Sequence, residues 1–158
     1  MNINKIIASG LGTGYSTFAP GTVGSLLGVV VFYIINSMIN RLDLQSLNIL
    51  VLNLAFIGAV TLLGVYSIKQ VHKVWEHDAS AIVIDEIVGV CIAAFAIPFR
   101  WEYYLMAFVL FRFFDIAKPL FIRKLDNMKG NWSVMLDDIL AGVYANVVLQ
   151  LIVYANFI

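Results

Sequence analysis

The chain has 158 residues, 61% of them hydrophobic and 13% charged, with ten Lys and Arg against ten Asp and Glu and a mean hydropathy of +0.90. Soluble domains carry about a quarter of their residues as charges, so this composition excludes an ordinary soluble protein and points to one integral membrane domain over residues 1–158. A formal net charge of zero also argues against nucleic acid as a partner, because a phosphate backbone calls for a concentrated excess of Lys and Arg.

Taken in chain order, the first feature is the Gly-rich stretch from Gly10 to Ser25, which precedes the first long apolar run. Gly12, Gly14, Gly21 and Gly24 allow close backbone approach there. Thr22 and Ser25 stand where a helix begins, so free N–H groups and hydroxyls could cradle an oxyanion. The stretch lacks the Gly-Lys-Ser/Thr ending of a P-loop, and a flexible lead-in is the plain alternative.

Five candidate spans follow, at 22–40, 47–68, 81–98, 101–117 and 134–155, each measured against the roughly 20 apolar residues that cross about 30 Å of hydrocarbon. The expected fold is therefore an all-α polytopic bundle of about five spans. The third span is the weakest, because Asp85 and Glu86 fall inside it. No cleavable signal peptide is expected, since the first run starts late and lacks a small-residue cleavage pattern. No linker or internal repeat is evident. Cys91 lies within an apolar run as a small packing residue and has no second cysteine to pair with.

With five crossings, one face collects Lys5, Lys69, Lys73, Lys118, Arg123, Lys124 and Lys129, while the other has only Arg41 and Arg100. That bias makes the first face cytoplasmic. Asp85 and Glu86, Arg112, Asp115 and Lys118, and Asp137 and Asp138 then gather at this face with the Gly-rich stretch, giving a polar site at the cytoplasmic side. The gathering depends on the third span crossing. Intramembrane carboxylates are costly and are functional-site candidates by default.

Helical spacing separates their roles. Arg112 and Asp115 are three apart and share a face, so they could simply pair with each other. Asp138 heads a stripe of Ala141, Gly142 and Ala145, the kind of face that lets membrane helices approach closely, and so points inward. Asp137 is rotated by about 100° from it. Asp85 and Glu86 are related in the same way, and the spacing does not choose between them. Helix capping is the competing account for both acid pairs. Carboxylates without a nitrogen-rich partner set favour Mg2+ over zinc, the only histidines being His72 and His77. His77, beside Asp78, reads as a solvated loop residue, with a proton-transfer role left open.

Four segments, Phe18-Ala-Pro-Gly-Thr-Val-Gly-Ser-Leu26, Ile82-Val-Ile-Asp-Glu-Ile-Val-Gly89, Phe111-Arg-Phe-Phe-Asp-Ile-Ala-Lys-Pro119 and Met135-Leu-Asp-Asp-Ile-Leu-Ala-Gly142, resemble the bacterial phosphatidylglycerophosphatase A family in order and spacing. The resemblance covers nearly the whole chain. It implies an Mg2+-dependent, multi-pass enzyme of the bacterial inner membrane. That enzyme removes the terminal phosphate of phosphatidylglycerophosphate, a phospholipid held in the bilayer, to leave phosphatidylglycerol. Thr17 stands where the family usually has Pro, and Lys129-Gly-Asn-Trp-Ser133 replaces a more Gly-rich approach to the paired aspartates.

On this basis Asp85 or Glu86, Asp115 and Asp138 are expected to hold Mg2+, with Asp137 as an orienting group or base. Arg112, Lys118, Thr22 and Ser25 would contact the phosphate. Direct attack by water competes with an aspartyl-phosphate route. A Cys-x5-Arg phosphatase loop is excluded, because Ile97 occupies the arginine position after Cys91. A broader phosphomonoesterase acting on phosphatidate or lysophosphatidate is the nearest alternative. An ion-coupled transporter fits less well, because it would place charge near the bilayer midplane. A phosphoalcohol transferase lacks its Asp-Gly-x2-Ala-Arg pattern here, and a purely structural subunit would not need the acids. Oligomeric state is not legible in the sequence.

Overall fold

A computed structural model describes residues 2–75, 80–126 and 132–156. All regular structure among these residues is helical: α1 (Ile3–Ala8), a 3-10 turn (Thr13–Tyr15), α2 (Pro20–Asn40), α3 (Ser46–Val71), α4 (Ile84–Ala93), α5 (Trp101–Ala117), α6 (Ile122–Asp126) and α7 (Ser133–Asn156). His77 and Lys129 lie outside the described residues.

Three helices are long and apolar enough to cross a membrane, at Pro20–Asn40, Ser46–Val71 and Ser133–Ala155. At 1.5 Å per residue, the 21 residues of α2 reach about 31 Å. Pro20 opens α2 at the position where its missing N–H costs nothing. The fourth expected span is the 17-residue α5, about 25 Å long.

The expected third span differs most. Only ten residues of it, α4, are helical, a length of about 15 Å, and 94–100 continue as irregular chain. Pro98 disfavours helix at Ile97, and Ala96 adopts a left-handed φ of 57°. Irregular backbone at membrane depth persists only where protein supplies its hydrogen bonds. Here α7 supplies them. Asn146 Nδ2 donates to the carbonyls of Ala93 at 3.0 Å and Phe95 at 2.7 Å, and Gln150 Nε2 donates to Ala96 at 2.9 Å. Phe99 then stacks on Tyr33 of α2 with ring centroids 4.9 Å apart, so the segment climbs well past the helix end.

No residue of α4 is exposed, because α2, α5 and α7 enclose it. Small residues make this possible. A side chain at Gly28 would meet Val90 and the Ile87 backbone, one at Gly142 would meet the Gly89 carbonyl, and one at Gly89 would meet the Phe111 ring. The core around α4 includes Phe32, Val90, Ala107, Phe111, Ala141, Ala145 and Leu149. Cys91 is buried there as expected, with Sγ 3.9 Å from the Gly28 carbonyl. A second cluster, including Ala8, Ile68, Val71, Val88 and Met135, seats α1 and α3 against the start of α4. Val83 N–H donates to the Ala8 carbonyl at 2.9 Å, fixing the chain as it enters α4.

Candidate metal and phosphate site

α4 begins at Ile84, so Asp85 and Glu86 occupy its first turn, where the helix dipole favours negative charge. Asp138 lies more than a turn inside α7, which begins at Ser133, so end-capping does not account for it. The close crossing at Gly89 and Gly142 sets these two helices side by side. As a result one carboxylate oxygen from each of Asp85, Glu86 and Asp138 lies within 4.8 Å of the others, a group that could hold a metal ion.

Asp85 and Asp138 are buried. Asp85 Oδ1 accepts the Glu86 N–H at 3.1 Å, whereas Glu86 Oε2 and Asp138 Oδ1 are buried with no hydrogen-bond partner. Unpartnered buried carboxylate oxygens carry the full cost of desolvation, and the three charges also repel one another. A hard cation removes both costs, so the donor set fits a divalent ion bound through oxygen.

Beside this trio stands a second layer of charge. Arg112 Nη1 donates to Asp115 Oδ2 at 2.6 Å and reaches Ser25 Oγ at 3.4 Å, while its buried Nε has no partner. Ser25 Oγ donates to the Gly21 carbonyl at 2.7 Å. Lys118 is the left-handed C-cap of α5, with φ 42°, and its Nζ lies 2.8 Å from Asp137 Oδ2. Pro119 disfavours the helical region at Lys118 and so ends α5 at that turn.

The structure groups Asp85, Glu86 and Asp138, links Arg112 to Asp115 and Ser25 and Lys118 to Asp137, shows no side-chain contact of Thr22 with any of them, and divides the acids. Asp115 pairs with Arg112 and is not one of the three clustered carboxylates, and Asp137 is held by Lys118. Asp85 and Glu86 both belong to the group that could hold a metal ion. The expected oxyanion cradle narrows. The N–H groups of Gly10, Leu11, Gly12, Thr13, Gly14 and Tyr15 all donate to nearby carbonyls, and those of Thr22 and Val23 donate to Ala19. What faces the acids is the start of α2 itself. A side chain at Gly21 would collide with Glu86 Oε1 and lie 3.3 Å from Arg112 Nη1. Sequence inspection gives Gly21 only a general role in close approach. Its partner becomes visible once α2 and α4 are packed.

A helical chain with membrane-length apolar segments and a largely buried group of carboxylates that could hold a metal ion defines an all-helical membrane protein with a possible acidic metal-binding cluster. The phosphatidylglycerophosphatase A family model matches residues 6–153, and the chain belongs to that family. Among its relatives, the phosphatidylglycerophosphatase A of Haemophilus influenzae is 39% identical over 157 residues, covering 98% of this chain and 91% of that protein. The Escherichia coli phosphatidylglycerophosphatase A is 35% identical over 150 residues, 93% and 81% of the two chains. A Bacteroides thetaiotaomicron protein named "Putative phosphatidylinositol-3-phosphatase" is 41% identical over 143 residues, 89% and 87%. No solved structure matches the chain.

Proposed function

We propose that this chain is a lipid phosphatase of the bacterial inner membrane that hydrolyses the terminal phosphate of phosphatidylglycerophosphate at its cytoplasmic face. The observation that carries the reading is the trio of Asp85, Glu86 and Asp138, two of them buried and Glu86 half-buried, standing beside Arg112 and Lys118. Family membership supports the substrate.

Asp85, Glu86 and Asp138 would hold Mg2+, which would supply positive charge beside the phosphoryl oxygens and lower the pKa of a bound water. Arg112 binds phosphate oxygens through the donors that Asp115 leaves free, and Asp115 orients the guanidinium. Thr22, at the start of α2, adds a hydroxyl donor, and Ser25 adds one by turning its proton away from the Gly21 carbonyl. Lys118 shares its charge between Asp137 and the phosphate. Asp137 accepts the proton of the attacking water as the new P–O bond forms, and the bond to the headgroup glycerol breaks with the departing oxygen taking a proton from solvent. These positive groups act where charge builds on the transferring phosphoryl group.

The surroundings suit a lipid. Phe18, Ile116, Leu120 and Phe121 are exposed at the ends of the elements that carry the site, where acyl chains would cover them. Lys5, Lys69 and Lys73 belong to this end, and Arg41 and Arg100 to the other, which supports a cytoplasmic site by the positive-inside rule.

The test is phosphate release by the purified protein from a panel of phosphatidylglycerophosphate, phosphatidate, lysophosphatidate and phosphatidylinositol 3-phosphate. The reading expects kcat/KM to be highest for phosphatidylglycerophosphate. A higher value for any other member of the panel would replace the substrate while leaving the chemistry in place.

A further inference from the structure

The acidic trio is not sealed equally on every side. Asp85 and Asp138 are buried, whereas Glu86 is half-buried, and its Oε1 meets α2 at Gly21, the same residue that Arg112 Nη1 approaches from α5. Arg112 and Asp115 also keep 17% and 14% of their side-chain surface exposed. The exposed part of the site thus lies where α2 and α5 meet.

The other approaches are closed by side chains. Between α5 and α7, Phe114 meets Tyr144 edge-on with ring centroids 5.8 Å apart, and Lys118 pairs with Asp137. On the opposite flank α3 stands so close that a side chain at Gly64 would strike Met135 of α7 and crowd Ile84 of α4. At the far end Tyr33 of α2 meets Tyr104 of α5 edge-on at 5.0 Å, and α2 is tied to α3 by Asn53 Nδ2, which donates to Asn36 Oδ1 at 2.8 Å. At the site end, by contrast, α2 and α5 are bridged by Arg112 Nη1 and Ser25 Oγ at 3.4 Å, a long contact.

Helical rotation puts an aliphatic lip on each side of that bridge. Leu26 lies seven residues before Tyr33, about 20° from it around α2, and so on the side that faces α5. Val109 lies about 60° from Arg112 around α5. Both are half exposed, as are Val30 and Leu105, which continue the two lips toward the far end.

We propose that the lipid substrate reaches the acidic site sideways from the bilayer, an acyl chain lying in the α2–α5 seam over Leu26 and Val109 while its phosphate meets Arg112. This route rests on the lipid-phosphatase reading above and adds to it the residues that admit the chain. Charge and polarity select the occupant. The head of the seam offers a guanidinium to an anion and the lips below it are hydrocarbon, so the molecule that fits carries a phosphate and an apolar tail together. A water-soluble phosphomonoester would have to cross the lipid that covers these lips, whereas a phospholipid already stands there.

The experiment adds bulk to the seam after folding. Leu26→Cys and Val109→Cys are purified in detergent, modified to completion with benzylmaleimide, and each compared with itself before modification on whichever lipid of the panel the wild type hydrolyses best. Cys91 is buried, and wild-type protein treated alike controls for it. Modification at either position should lower kcat/KM about tenfold, with the change carried by KM. Val143→Cys on α7 and Leu62→Cys on α3, exposed on other faces of the bundle, should change by less than about twofold on the same treatment. No change at Leu26 and Val109, a fall in kcat at constant KM, or an equal loss at Val143 or Leu62 overturns the proposal. If neither seam variant folds, Val30→Cys and Leu105→Cys decide in the same way. A wild type inactive on every member of the panel would remove the phosphatase reading and this route with it, whereas the preceding outcomes remove the route alone.

Discussion

The two ends of the bundle both bury polar side chains in an apolar chain, yet the far end pairs most of its amides, Asn53 Oδ1 excepted, whereas the acidic end crowds like charges together. At the far end amides meet amides and backbone carbonyls, so Asn36, Asn146 and Gln150 are architecture. At the acidic end the carboxylates of Asp85, Glu86 and Asp138 are crowded together, and Glu86 Oε2 and Asp138 Oδ1 are buried without a hydrogen-bond partner. Matched polar groups hold a fold together, whereas unmatched ones mark where something must bind.

The comparison can be broken first at the acidic end. Asp138→Asn removes a charge from the trio while keeping its shape, and phosphate release should fall by about two to three orders of magnitude with the helical content unchanged. Arg112→Ala should cost about a hundredfold, because it removes the phosphate donors and leaves Asp115 unpaired, whereas Asp115→Asn, which only loosens the guanidinium, should cost less. Steady-state kinetics of both variants would order them.

Gly21→Ala tests the packing that delivers the trio. Its methyl would fall on Glu86 Oε1, so activity should drop about tenfold and the Mg2+ concentration for half activity should rise. An unaffected variant would mean that Glu86 moves freely and contributes little.

At the far end the effect should be on stability rather than chemistry. Asn146→Leu strands the carbonyl of Ala93 and leaves that of Phe95 only its 3.3 Å bond from Gln150 Nε2, and should destabilise the protein by about 2 kcal/mol, lowering its unfolding temperature in detergent without changing the metal requirement. Loss of activity at unchanged stability would show that the broken helix serves the site directly.

Much of the acidic end is legible in the sequence, because a charge within an apolar run is conspicuous. The small-residue stripe of Ala141, Gly142 and Ala145 orients Asp138 inward, and helical rotation separates it from Asp137. The pairing of Asp137 with Lys118 is not legible, since it depends on a left-handed turn at the end of α5. Nor is the shortness of α4. Residues 81–98 are apolar enough to suggest a span, weakened only by Asp85 and Glu86 inside it, and the further signals against one are Pro98 and two amides on a distant helix, Asn146 and Gln150, whose targets exist only after packing. Asn36 and Asn53 go unnoticed for the same reason: an uncharged amide barely lowers hydropathy, yet a pair of them fixes a hydrogen-bond direction. The convergence of the acids was expected only if 81–98 crossed as a helix, and α4 achieves it with half the length because both acids sit in its first turn.

The central claim, that Asp85, Glu86 and Asp138 form a cation site required for phosphate release, is tested most directly by chelator-stripped protein assayed on phosphatidylglycerophosphate as Mg2+ is restored. The account predicts negligible release after stripping and saturable recovery in the wild type, with recovery in Asp138→Asn shifted to much higher Mg2+ or absent. Full activity in the stripped protein, or identical Mg2+ dependence in the two, would contradict it.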